Sequence, residues 1–137
     1  MIYPHNFEQK IGFDQIRHLL KGKCLSTLGE ERVDKMAFSS TYTYINQQLD
    51  LACEFLSILQ GDDDFPAQFF FDVRPALNRV KVVGLFLEEQ ELFDLRRSLE
   101  TIRDIVKFLK VEDVEEGIEP LYPNLCQLAG NIGPRVY

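Results

Sequence analysis

Arg74, Arg79 and Lys81 fall within eight residues of the stretch DVRPALNRVKVVG, Asp72 to Gly84, with no acid among them. Cations at this spacing suit contacts with nucleic-acid phosphates, and Pro75 sets a turn ahead of the short segment ALNRV. The same side chains can instead pair with nearby carboxylates, such as Asp72 or the run Asp62 to Asp64, in exposed ion pairs worth about 0–1 kcal/mol each. The chain has a formal net charge of -7, and three bases fall short of the basic stripe that a dedicated nucleic-acid binder carries. The ion-pair reading is therefore favoured over the phosphate one.

Other chemistry finds less support. His5 and His18 stand thirteen apart, without neighbours at a metal-ligand spacing. GKCLST has a Gly-Lys pair, but a phosphate loop needs Gly five residues earlier and Ser or Thr directly after Lys; Arg17 and Cys24 occupy those places. Asp62 to Asp64 lack the Gly and terminal Glu of a twelve-residue calcium loop. Glu88 with Glu89, and Glu115 with Glu116, are sequence neighbours that do not face each other across a cleft. Cys24, Cys53 and Cys126 have none of the short spacings of zinc sites and read as reduced, mostly buried thiols. No catalytic, cofactor-binding or metal residue is expected, and the chain alone is not expected to be an enzyme.

The elements that would position the basic stretch are helical. Phe13, Ile16, Leu19 and Leu20, then Leu25, Leu28, Val33 and Met36, follow helical spacing, with Gly22 dividing or bending the segment. Ser39, Ser40 or Thr41 can cap the next helix, and Gly61 stops it. Ile45, Leu49, Ala52, Leu56 and Leu59 step by four, three, four and three, a stripe that must lie against something. Phe69 to Phe71 and Val80 to Leu87 are each compatible with a short strand or a buried connector. The longest helix is expected from about residue 88 to 110, acidic in its first turn and with Lys107 and Lys110 in its last. An acidic stretch, VEDVEEGIEP, precedes a final stripe of Leu121, Leu125, Leu128 and Ile132. The fold class is thus mainly α, a bundle of about five to six helices, with a strand pair possible near 69–87.

At 137 residues and 45% hydrophobic content, one domain with a real core is expected over 1–137. The start, MIYPHNFEQK, has no signal-peptide pattern, and no apolar run reaches the roughly 18 residues of a membrane span. With the cysteine usage, this points to a cytoplasmic protein without a membrane partner.

Read in order, the segments resemble the amino-terminal region of the MutS family, in particular its second, recombination-related branch. The matching pieces are Phe-Asp-x-Ile-x-x-Leu-Leu at Phe13 to Leu20, CLSTLGEERV at Cys24 to Val33 and LDLACEFLSIL at Leu49 to Leu59. Asp-Val-Arg-Pro-Ala-Leu follows at Asp72 to Leu77, then Gly-x-x-Leu-x-x-x-Glu-Leu at Gly84 to Leu92. The resemblance implies a parent protein that is a homodimeric, DNA-binding ATPase using ATP and Mg, concerned with mismatch repair, recombination or the rescue of collided ribosomes. It implies that these helices form a core and lever region linking a DNA clamp to the ATPase. Walker A and B motifs, a Phe-x-Glu mismatch reader and a nuclease tail are missing from the sequence, so the chain is expected to be a fragment of a longer one. The alternative is a free-standing helical module that binds a partner protein through its apolar stripes.

Overall fold

The computed structural model describes residues 6–111 and 121–132. Among them are seven helices: α1 (Phe7–Lys10), α2 (Phe13–Lys21), α3 (Thr27–Asp34), α4 (Tyr42–Gln60), α5 (Arg74–Arg79), α6 (Glu89–Val111) and α7 (Pro123–Ile132). The mainly helical expectation holds, and the long helix lies within a residue of its expected limits. The described residues contain no strand. Phe69 to Phe71 is a connector without regular secondary structure and residues 80–84 form turns, in place of the strand pair expected as possible near 69–87.

Helices α1 to α3 pack on one another, and Arg17 pins them. Its guanidinium donates to Glu8 at 3.0 Å and to the carbonyls of Val33 and Met36 at 3.3 and 2.6 Å, and it lies 5.0 Å from the centre of the Phe13 ring. One side chain thereby holds α1, stacks on α2 and satisfies carbonyls at the end of α3. Gly22 separates α2 from α3, as its position in the sequence predicts. Gly12, with φ of 75°, opens α2 from the left-handed region, which a side chain would strain.

In the second group, α7 packs against both α4 and α6. The Glu54 carboxylate of α4 accepts from the backbone N–H groups of Asn124 and Leu125 at 3.1 and 2.8 Å, and from the Asn124 side-chain amide at 2.7 Å. It thus caps the start of α7 from another helix, where the dipole favours an anion. The buried core lies beside this cap and consists of Ile58, Leu109, Tyr122, Cys126 and Ala129. Phe65 completes it with edge-to-face contacts to Phe55 and Phe108, at centroid distances of 5.0 and 5.4 Å. From Phe65 the connector runs back along α6 to Phe69, whose ring lies 4.5 Å from the Arg97 guanidinium; Arg97 also lies over Phe93 at 4.3 Å.

Two stripes read from the sequence meet this core only in part, Leu125 being the member of the α7 stripe that packs against it. On α7 the buried positions are Tyr122, Cys126 and Ala129, while Leu121 and Leu128 are exposed, so the helix is turned about one position from the Leu121–Leu125–Leu128 face. On α4, Ile58 is buried, and Ile45, Leu49, Leu56 and Leu59 are 37%, 56%, 52% and 62% exposed. Of the stripe expected to lie against something, Ile45 and Leu49 line a groove with Met36 and Ala37, and Leu56 and Leu59 stay exposed among the described residues, because Glu54 draws α7 onto the opposite face. The thiols also differ from expectation: Cys126 is buried and donates to the Leu109 carbonyl at 3.0 Å, but Cys24 is half-buried and Cys53 exposed. His5, the acidic stretch at 112–119, the side chain of Ile132 and the tail from 133 lie outside the described residues.

Glu54→Gln, which removes the charge from the α7 cap while keeping its shape, is expected to cost about 1–2 kcal/mol. Ile58→Ala is expected to cost about 2–5 kcal/mol through the cavity it leaves. Chemical denaturation followed by circular dichroism measures both.

Candidate nucleic-acid interface

The three basic residues belong to α5 and the turn that follows it. Asp72 opens the segment: its carboxylate accepts from the Arg74 backbone N–H at 3.1 Å and from the Arg74 guanidinium at 2.8 Å through Nε and at 2.8 Å through Nη2. Pro75 occupies the first turn of α5, where its missing N–H leaves no hydrogen bond unmade. The other edge of the Arg74 guanidinium meets Glu31 of α3 in a two-pronged pair, Nη1 to Oε2 at 3.2 Å and Nη2 to Oε1 at 2.6 Å. Arg74 is therefore shared between two carboxylates, one two residues away and one 43 residues away.

Arg79 is held in the same fashion. Both of its terminal nitrogens donate to the Glu91 carboxylate, Nη1 to Oε1 at 2.8 Å. Glu91 also accepts from the Glu88 backbone N–H at 2.9 Å, the reciprocal half of a capping box at the start of α6. Lys81 differs. Its ammonium donates to the Asn78 side-chain oxygen at 2.9 Å, and among the described residues it has no ion pair. Beyond it the turn at Gly84, with φ of 90°, presents Val83 and Phe86 at 99% and 78% exposure.

The carboxylates respond to these partners. The Arg74 guanidinium, donating directly, holds both Glu31 and Asp72 below their ordinary values of 4.5 and 3.8. Hydrogen bonding from Arg79, and then from the Glu88 N–H, lowers Glu91 likewise. Arg74 and Arg79 are raised in turn, chiefly by the same carboxylates. The cations of this stretch are thus largely neutralised within the chain. Sequence proximity exposes the Asp72 partner, but neither Asp62, Asp63 nor Asp64 is used among the described residues. Glu31 and Glu91 were missed. Nothing local points to Glu31, whereas Glu88-x-x-Glu91 ahead of an apolar run is itself a helix-start signal.

Nucleotide or metal chemistry finds no fit in these residues. Gly22, Lys23 and Cys24 form the turn after α2, without a glycine-rich loop leading into a helix. No cluster of three or more His, Cys, Asp or Glu side chains among the described residues could hold a metal ion. His18 is exposed on α2, and Asp62 to Asp64 are exposed after α4. No helix among the described residues is long and apolar enough to cross a membrane.

Because the folded values of Glu31 and Asp72 are depressed, their pairing contributes stability that is complete above pH 4.5 and is lost as pH falls through those lowered values. Arg74→Gln is expected to return both carboxyl groups toward 4.5 and 3.8 and to flatten the acid-side loss of stability. Carboxyl-detected NMR titration of wild type and variant measures this.

No family model matches the chain, and no solved structure matches it significantly. Curated relatives do match. The chain is 29% identical over 120 residues to the protein named Endonuclease MutS2 of Alkaliphilus oremlandii, covering 88% of this chain and 15% of that protein. It is 28% identical over 117 residues to Endonuclease MutS2 of a Geobacillus species, covering 85% of this chain and 14% of the relative. To Endonuclease MutS2 of Lacticaseibacillus casei it is 30% identical over 107 residues, covering 78% and 13%. The chain spans between 13% and 15% of the length of these relatives, and over most of its own length its sequence is MutS-like.

Proposed function

We propose that this chain acts as a non-catalytic helical core and lever element of a MutS-like, DNA-binding ATPase concerned with mismatch repair or recombination, coupling a DNA clamp to the ATPase. The observation that carries the reading is the similarity to MutS2 proteins across 88% of the chain. The form of α6 supports it. With 23 residues it is about 35 Å long. Its C-terminal half enters the core through Val106 and Leu109, and its N-terminal end is tied to α5 through Arg79 and Glu91. A helix gripped at both ends moves as a rigid unit and carries displacement from one end to the other. ATP and Mg chemistry, DNA embrace and homodimer formation belong in this reading to the larger assembly, of which the chain spans 13–15% by the length of its relatives. The pairing of Arg74 with Glu31 and Asp72 supports a joint between the two helix groups rather than a dedicated phosphate clamp.

A second reading, a helical module that binds another protein, is favoured by one observation: among the described residues the apolar side chains Leu49, Leu56 and Leu59 of α4 are more than half exposed.

The first reading predicts no ATPase activity for this chain, and only weak binding to duplex, mismatched and four-way-junction DNA that vanishes between low and physiological salt. Lys81→Glu, at the cation left without an acid, is expected to leave that weak binding within about twofold, because a single exposed cation contributes little of a counterion-driven affinity. Tight, structure-selective binding at physiological salt, abolished by Lys81→Glu, would overturn the joint reading and make the basic turn a DNA site.

A further inference from the structure

We infer that Arg74 and Glu31 form a salt-sensitive latch: closed, it holds the α1–α3 unit against α5, and open, it frees that unit to turn about residues 37–40. Only contacts within this chain enter it, so it holds or fails independently of the functional reading.

The substantial helix packing among the described residues runs within two groups, α1 with α2 and α2 with α3, and α7 with α4 and α6. Helix α5 is tied to the second group by Arg79 and Glu91. Among the described residues one ion pair crosses from group to group, Arg74 with Glu31, and its side chains are 53% and 45% exposed. The chain itself crosses at residues 36–41, which form no regular secondary structure. Arg17 grips the Met36 carbonyl at one end of this strap and α4 begins at Tyr42, so the backbone between them is left to absorb a rotation. Apolar packing does not lock the strap. Met36 and Ala37 meet Ile45 and Leu49 of α4 across an open groove, with Met36 and Leu49 still 42% and 56% exposed.

Both partners keep a counter-charge when the pair parts. Arg74 retains Asp72, which accepts from its Nε and Nη2 at 2.8 Å each, so the guanidinium stays aimed at the place Glu31 leaves. Glu31 has Lys35 four residues further on, just past the end of α3, in the Glu-then-Lys order that suits a helix. Lys35 has no ion pair among the described residues, and its charge already attracts the Glu31 carboxylate, while Asp72 repels it. Opening therefore exchanges one cation for another and strands no charge. The two arrangements differ by little, which is the condition for a bistable element. Salt screens the exposed two-pronged pair and leaves the conformational freedom of the released unit to favour the open form.

Double electron–electron resonance between spin labels on Cys53 of α4 and on Asp14→Cys of α2 tests the latch, in a Cys24→Ser background with Cys126 buried. At about 20 mM salt one distance should dominate; at about 1 M, where the screening length is about 3 Å, a second should grow in, the open-to-closed ratio rising about two- to fivefold. Arg74→Gln and Glu31→Gln should show the second population already at low salt and lose the salt response, with helical circular dichroism unchanged. Lys35→Gln, which removes the partner of Glu31 in the open form, should shift the ratio toward the closed one. Arg103→Gln, which breaks an ion pair inside α6, should leave the distances as they are. The latch is overturned by a distance distribution that is the same at both salt concentrations, that Arg74→Gln leaves unchanged, or that Arg103→Gln alters as much as Arg74→Gln does. A shift toward the open form in Lys35→Gln overturns it too. The salt series needs no substitution in the latch itself, so it decides the matter even where a variant fails to fold.

Discussion

The second helix group depends on one carboxylate. Glu54 reaches from the second turn from the end of α4 to the N–H groups that open α7. Those groups have no partner within their own helix. Satisfying them from α4 fixes both where α7 begins and how it is rotated. Tyr122, Cys126 and Ala129 then face inward, and the Cys126 thiol reaches the Leu109 carbonyl on α6. A charge-assisted cap thus chooses the face that the apolar side chains subsequently bury.

The consequence is an uneven distribution of burial. Helix α7 and the Phe55, Phe65, Phe108 ladder join α4 to α6 at one end. Among the described residues the first half of α6 and the far side of α4 are less covered: Leu92 and Leu99 are 57% and 46% exposed, and Leu56 and Leu59 52% and 62%. The amino-terminal group is built differently, around the single Arg17 side chain, which combines an ion pair, two carbonyl caps and a ring contact. Between the groups stands Arg74, bidentate to Glu31 and held by Asp72. Exposed ion pairs of this type are individually weak. They orient one group relative to another more than they weld them, which agrees with a proposed role in transmitting motion.

The basic stretch shows how composition misleads when partners are remote. Three cations without an intervening acid look available for phosphate, yet two of the three already have carboxylates. The Asp72 partner was legible because it is adjacent, and a turn residue commonly folds back on the backbone two residues on. The Glu88–Glu91 capping box was legible in kind, although its second role in binding Arg79 was not. Glu31 was illegible, since its approach to Arg74 depends on how α3 and α5 are brought together over 43 residues.

What the sequence alone determined about this protein is local and periodic: the helical class, the break at Gly22, the stop at Gly61, the span of α6 and the MutS-like order of its segments. Helix ends and periods follow from side chains within a few residues of one another, so one chain suffices to read them. Only the tertiary structure decided which stripe meets which. Hydrophobicity is non-directional and specifies that a face be covered without naming its cover. Directional contacts made the choice, with Glu54 turning α4 and α7 together and leaving Leu56 and Leu59 of α4 exposed on the other side.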